Sequence, residues 1–155
     1  MLSFETGAPV HGTAIVVGET GVLFVGPSGS GKSVTALRCL ASARARGLHA
    51  ALVADDRTIL EIAHGRILAR CPAPIAGRAE IRGTGLVDVT FRKSALLSLV
   101  IAPGELSGAG RLPPSGEVAE IGGVLLPVTR FFNDLQLDPL EILPVHGMFR
   151  ACCLS

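Results

Sequence analysis

The chain has 155 residues, enough for one domain with a core of its own, and its 14 basic and 13 acidic side chains leave a net charge of +1. Hydrophobic residues make up 48% and charged residues 17%, which argues against a disordered chain. With no basic block and few aromatic rings for bases to stack on, a nucleic-acid partner is not expected. No run approaches the roughly 18 apolar residues of a membrane span, and Glu5 stands where a signal peptide would carry cationic residues. A cytoplasmic protein with no membrane partner is the expectation.

Trp and Tyr are absent, so the core is expected to be aliphatic, with an apolar face available for self-association. Cys39, Cys71, Cys152 and Cys153 form no C-x-x-C pair, which points to neither zinc nor a redox motif. Adjacent Cys152 and Cys153 read as reduced thiols. The final Cys-Cys-Leu-Ser matches a prenylation box in form, but no polybasic segment precedes it and the match reads as chance.

In chain order, residues 1 to 9 read as a lead-in and 11 to 17 as a strand. A turn at Gly18-Glu19-Thr20-Gly21 leads into a second, buried strand over 21 to 25, so the two form a hairpin. Residues 34 to 46 read as a helix closed by Gly47, with Ala36, Leu37, Leu40 and Ala41 facing the core and arginines near its negative end. A short buried strand over 50 to 54 ends in Asp55-Asp56. Residues 58 to 63 and 66 to 70 flank His64-Gly65 as another hairpin.

Cys71-Pro72-Ala73-Pro74 breaks the pattern, and 80 to 85 read as a polar, glycine-bearing loop. Strands are expected over 86 to 90, 96 to 102, 117 to 121 and 124 to 129. Between Pro103 and Gly116, four glycines and three prolines predict a loop, and Asp138 to Glu141 one helical turn.

The stretch between the second strand and the helix carries the chemistry. Gly26-Pro27-Ser28-Gly29-Ser30-Gly31-Lys32-Ser33 fits G-x-x-x-x-G-K-[ST], a loop whose backbone N–H groups cradle nucleotide phosphates. Its small residues let the backbone approach a ligand closely. Lys32 then reaches the outer phosphates and Ser33 ligates Mg²⁺.

Asp55 and Asp56 end a strand, where ligands bind in open α/β sheets. One carboxylate there can serve a metal ion and the other a base, although strand-end aspartates also cap turns. Glu80 and Arg82, two apart on an extended chain, point the same way and can add a metal ligand and a cation. By itself such a pair can equally be a surface ion pair. His11 begins the strand whose partner feeds the loop, which can bring its imidazole near the nucleotide.

Together these residues resemble HPr kinase/phosphorylase, which phosphorylates a serine of the phosphocarrier protein HPr. The resemblance rests on His11-Gly12, Gly26 to Ser33, Val53-Ala54-Asp55-Asp56-Arg57 and Glu80-Ile81-Arg82-Gly83-Thr84-Gly85-Leu86, in the family's order. It implies an α/β P-loop kinase fold like that of phosphoenolpyruvate carboxykinase, a mixed sheet with added antiparallel strands. It implies ATP and Mg²⁺, with Gly26 to Ser33 on the nucleotide and Ser33, Asp55 and Glu80 at the metal. Asp56, supported by Asp55 and His11, would take the proton of the protein serine, and Arg82 would meet the charge of the transferring group.

In reverse, phosphate would attack the phosphoserine and release pyrophosphate. The arginine-bearing loop that many members use for this step is not recognisable here; Arg130 lies in about that region. The resemblance implies a hexamer, and a single domain over 1 to 155 like the short alphaproteobacterial form, without the separate N-terminal domain of longer members. A small-molecule kinase or NTPase, or an ATP-binding regulatory module without catalysis, stays open as an alternative.

Overall fold

The near-continuous apolar runs of the central strands are explained by burial on both faces. A computed structural model describes residues 1–104, 116–132 and 137–143. Along β2 (Pro9–Val17) and β3 (Thr20–Val25), Ile15, Val17, Val22 and Phe24 face one core, and Ala14, Val16, Leu23 and Val25 face another. Successive side chains point to opposite sides of a strand, so an unbroken apolar run fills two cores at once.

β2 and β3 form an antiparallel hairpin in which Val17 pairs with Thr20, leaving Gly18-Glu19 as a two-residue turn. Gly18 supplies the positive φ, 59°, that the first position of a type II′ turn needs. β2 is long enough to pair again along its other edge. Its first residues run antiparallel to β5 (Arg57–Ala63), and after an irregularity at Ala14/Ile15 its second half runs antiparallel to β4 (Ala50–Ala54). β5 turns at His64-Gly65, both with positive φ, into β6 (Arg66–Arg70), as expected for a type I′ hairpin.

β9 (Ser94–Pro103) runs parallel to β3 on one side. Its first residues pair with β6, closing a circuit β3–β2–β5–β6–β9 around the second core. Its last residues pair parallel with β11 (Val124–Phe131), which turns back on β10 (Val118–Ile121) through Gly122-Gly123.

One α-helix is present among the described residues, α1 (Lys32–Ala45), and it covers the first core. It begins two residues earlier than the sequence indicated. The buried face also differs: Thr35, Ala36, Cys39, Leu40 and Ala43 are buried, Leu37 is half-buried, and Ala41 is exposed. Small side chains at 36, 39 and 43 let the helix sit close to the sheet, which rotates Ala41 outward. Burial, with Asp138 nearby, pushes the Cys39 thiol up to about 12, so this cysteine packs as an apolar residue. Gly47, at φ 75°, ends the helix in a Schellman motif: Leu48 N–H donates to Ala43 C=O and Gly47 N–H to Arg44 C=O.

Two further expectations change. Leu2–Phe4 is a strand, β1, parallel to β10; three residues are too few for a period to show, and the partner lies more than a hundred positions away. Residues 80 to 85 are not a loop but the heart of a second, two-stranded sheet, β7 (Arg78–Ile81) and β8 (Gly85–Asp88). Arg82-Gly83-Thr84 forms its turn with Gly83 at φ 80°, and buried Ala79 anchors the hairpin in the first core. The expected helical turn is a 3₁₀ turn over Pro139–Ile142, capped by Asp138, which accepts from Leu140 N–H. Residues 105 to 115, the bulk of the glycine- and proline-rich stretch, lie outside the described residues, as do Cys152 and Cys153.

β3 and β9 meet closely at Gly21, where a Cβ would run into the Leu96 carbonyl. Gly21→Ala is expected to lower stability by about 3 kcal/mol, because backbone, unlike a flexible side chain, cannot move aside. Urea unfolding measures this; an unchanged midpoint would contradict the close approach.

Candidate active site

Strand direction gathers the site. β2 is antiparallel to both β3 and β4, so β3 and β4 run the same way and end on the same side of the sheet. The glycine loop follows β3 there, Asp55-Asp56 follows β4, and His11, just before the Gly12–Val25 pair on β2, lies at the same end. Gly12 itself has no room for a side chain: a Cβ would stand 3.0 Å from Phe24 O and 3.1 Å from Leu23 Cδ1.

The loop meets α1 at Gly31, whose φ of 84° turns the chain into the helix with no side-chain cap. Gly26, Gly29 and Gly31 all have positive φ, which favours glycine. Gly31 itself offers no side-chain cap to the first-turn N–H groups of α1, which suits an anion there.

Asp55 is 7% exposed and held on both oxygens. Oδ1 accepts from Thr13 Oγ1 at 2.9 Å and Ser33 Oγ at 2.6 Å, and Oδ2 accepts from the Glu80 backbone N–H at 3.0 Å. β2, α1 and β7 are thus tied to one carboxylate. Ser33 Oγ and Asp55 Oδ1, side by side on a cavity wall, are the hard oxygen donors that Mg²⁺ takes in ones and twos beside water and phosphate. Among the described residues no three His, Cys, Asp or Glu side chains cluster for a metal, and a site shared with phosphate oxygens has no need of them.

Asp56 is different: it is exposed, and its backbone is strained. Arg57 N–H donates back to Asp55 C=O at 2.7 Å, closing a three-residue turn with Asp56 at φ 63° in its middle. This turn aims the second carboxylate away from the first. Asp56 Oδ1 lies 2.8 Å from His11 Nδ1, and His11 Nε2 lies 3.0 Å from Lys32 Nζ. An ammonium only donates, so Nε2 accepts, and the ring proton on Nδ1 is directed to Asp56.

Lys32 also donates to Gly26 C=O at 2.9 Å and Pro27 C=O at 3.0 Å. Burial pulls its ammonium below the usual lysine value, while Asp56 and Asp55 pull it up.

A cavity of 490 Å³ is lined by His11, Ser28, Gly29, Gly31, Lys32, Ser33, Val34, Asp55, Asp56, Glu80 and Arg82. Every catalytic and metal-ligating candidate from the sequence lies on this wall. The Arg82 guanidinium lies over Gly29, where a Cβ would touch Nη2 at 3.5 Å. Ser30 lies instead on a neighbouring cavity across the loop, and Gly26 and Pro27 contribute the carbonyls that hold Lys32. Arg130 is elsewhere: it pairs with Glu117 and donates to Pro103 C=O at 2.9 Å, bracing the ends of β9 and β11. Sequence reasoning missed Thr13, whose one signal is a hydroxyl at the head of the apolar run 14–17.

The fold and site define a strand-rich α/β domain with a glycine loop and paired aspartates at one sheet end. Residues 3–95 match the family model described as the HPr Serine kinase C-terminal domain, and the chain belongs to that family. It is 38% identical over 81 residues to the HPr kinase/phosphorylase of Clostridium beijerinckii and 42% identical over 100 residues to that of Bordetella petrii. These matches cover 52% and 59% of this chain but 25% and 30% of those proteins. The solved structure of the Hpr(Ser) kinase/phosphatase from Coxiella burnetii superposes with a TM-score of 0.72 at 25% identity, over 86% of this chain and 85% of that one.

Thr13→Val keeps the shape of the side chain and removes one donor from a buried carboxylate. A loss of about 1–2 kcal/mol is expected in urea unfolding; a variant as stable as the native protein would show that the Thr13–Asp55 bond holds nothing in place.

Proposed function

We propose that this domain is an ATP- and Mg²⁺-dependent protein serine kinase acting on an HPr-type phosphocarrier protein and so regulating the phosphotransferase system. Family membership supports the kinase class. The observation that carries the residue assignment is the chain Lys32–His11–Asp56, which links the loop lysine to an exposed, oriented carboxylate.

Phosphoryl transfer needs little covalent help; positioning and charge neutralisation carry it. The N–H groups at the start of α1 and Lys32 hold the phosphates, Lys32 exchanging loop carbonyls for phosphate oxygens. Ser33 and Asp55, with Glu80 nearby, would hold Mg²⁺, which would supply neutralisation of phosphate charge. Asp56 accepts the proton of the incoming serine hydroxyl as its oxygen bonds to the γ-phosphorus and the bond to the leaving ADP breaks. His11 Nδ1–H keeps Asp56 aimed, and Arg82, over the loop, meets charge on the transferring group.

The test is the mass of an HPr-type protein after incubation with the domain, ATP and Mg²⁺. A gain of one phosphate on serine is expected, abolished by Lys32→Ala together with ATP binding. Phosphate appearing only in a small product would instead favour a small-molecule kinase or NTPase. ATP binding without any transfer would favour a regulatory module.

A further inference from the structure

Two cavities meet at the glycine loop, one lined by many charged side chains and the other by few, and Gly29, Gly31 and Lys32 line both. On one side stand the charged groups of the candidate active site. The other side holds a cavity of 340 Å³ whose far wall is Phe24, Ile101, Pro103, Phe131 and Phe132. Among the described residues, Lys32 is the sole charged side chain that lines it. A nucleoside triphosphate divides the same way, with a polyanion at one end and a flat ring at the other. We propose that this second cavity is the base subsite, taking the adenine ring of ATP against Phe132.

The inference rests on the nucleotide reading above and adds where the ring goes. If the transferring phosphate faces Asp56, the triphosphate crosses the loop and its nucleoside end leaves toward the other side. The cavity found there has the size of a small-ligand site, about 300 Å³ or more. Three of the chain's six phenylalanines line it. Phe24 and Phe131 are buried core residues, whereas Phe132 is half-buried and keeps a face toward the cavity.

The position of that ring is built into the backbone. Gly104 lies directly beneath it: a Cβ there would stand 2.6 Å from Phe132 Cζ. Gly104 N–H donates to Phe131 C=O at 2.9 Å, and Arg130 Nη1 donates to Pro103 C=O, so the ends of β9 and β11 are pinned together under the ring. Arg130 is thus a positioning residue for this wall. Residues 101–104 and 130–132 all lie beyond the stretch that the family model matches.

Calorimetric titration of the full chain with ATP and with inorganic tripolyphosphate, both with Mg²⁺, tests the inference. Phe132→Ala is expected to weaken ATP about 10-fold or more, the size of a lost base–aromatic stack, and to leave tripolyphosphate within about 2-fold. Lys32→Ala weakens both. ATP affinity unchanged in Phe132→Ala overturns the base subsite alone. A native chain that binds neither ligand overturns the nucleotide reading, and the subsite with it. Should Phe132→Ala weaken both ligands, transfer of magnetisation from adenine H2 and H8 to phenylalanine ring protons in the native complex decides: contact supports the subsite, and its absence refutes it.

Discussion

The site depends on one buried carboxylate. Asp55 receives hydrogen bonds from Thr13, Ser33 and the backbone of Glu80, and so holds strand, helix and hairpin in fixed relation. A buried carboxylate without partners is costly, so elements that supply donors are drawn to it. The β7–β8 hairpin, a two-stranded sheet of its own among the described residues, is docked by this bond and by Ala79. That docking brings Glu80 and Arg82 to the cavity.

Neighbouring Asp56 does the opposite. The strained turn that buries Asp55 points Asp56 outward, where His11 holds it. Two adjacent, chemically identical residues thereby acquire separate environments, one satisfied and enclosed, the other oriented and accessible. Lys32 joins the two, since both carboxylates oppose the effect of its burial. Strain at a non-glycine residue persists only where the surroundings enforce it, and here the antiparallel β2–β4 pairing and the bond from Gly12 N–H to Asp56 C=O do so.

The hairpins, the glycine loop and the helix were legible because each is local: turn residues, a short motif and a Gly47 stop all act over a few positions. The convergence of His11, Asp55 and Asp56 on the loop was legible from strand ends. The resemblance to a known family supplies expectations for the roles that spacing leaves open. What escaped was non-local or conformational. β1 pairs with a strand far along the chain, and the role of Thr13 depends on which residue lies across the sheet from it. Asp56 has a backbone geometry that its residue type does not announce, and helix rotation toward Cys39 and Ala43 followed from packing rather than from hydrophobicity. The phenylalanine wall of the second cavity assembles from β3, β9 and the end of β11, with no motif to mark it.

The division of labour between the two aspartates is the central claim, and Asp56→Asn tests it most directly. ATP affinity and transfer to an HPr-type protein are measured side by side on the same preparation. Affinity within about 3-fold of the native protein with transfer slowed about 100-fold or more is the predicted result, since the change removes a base and leaves the phosphate cradle whole. Transfer at the native rate, or loss of ATP binding in step with transfer, would contradict it.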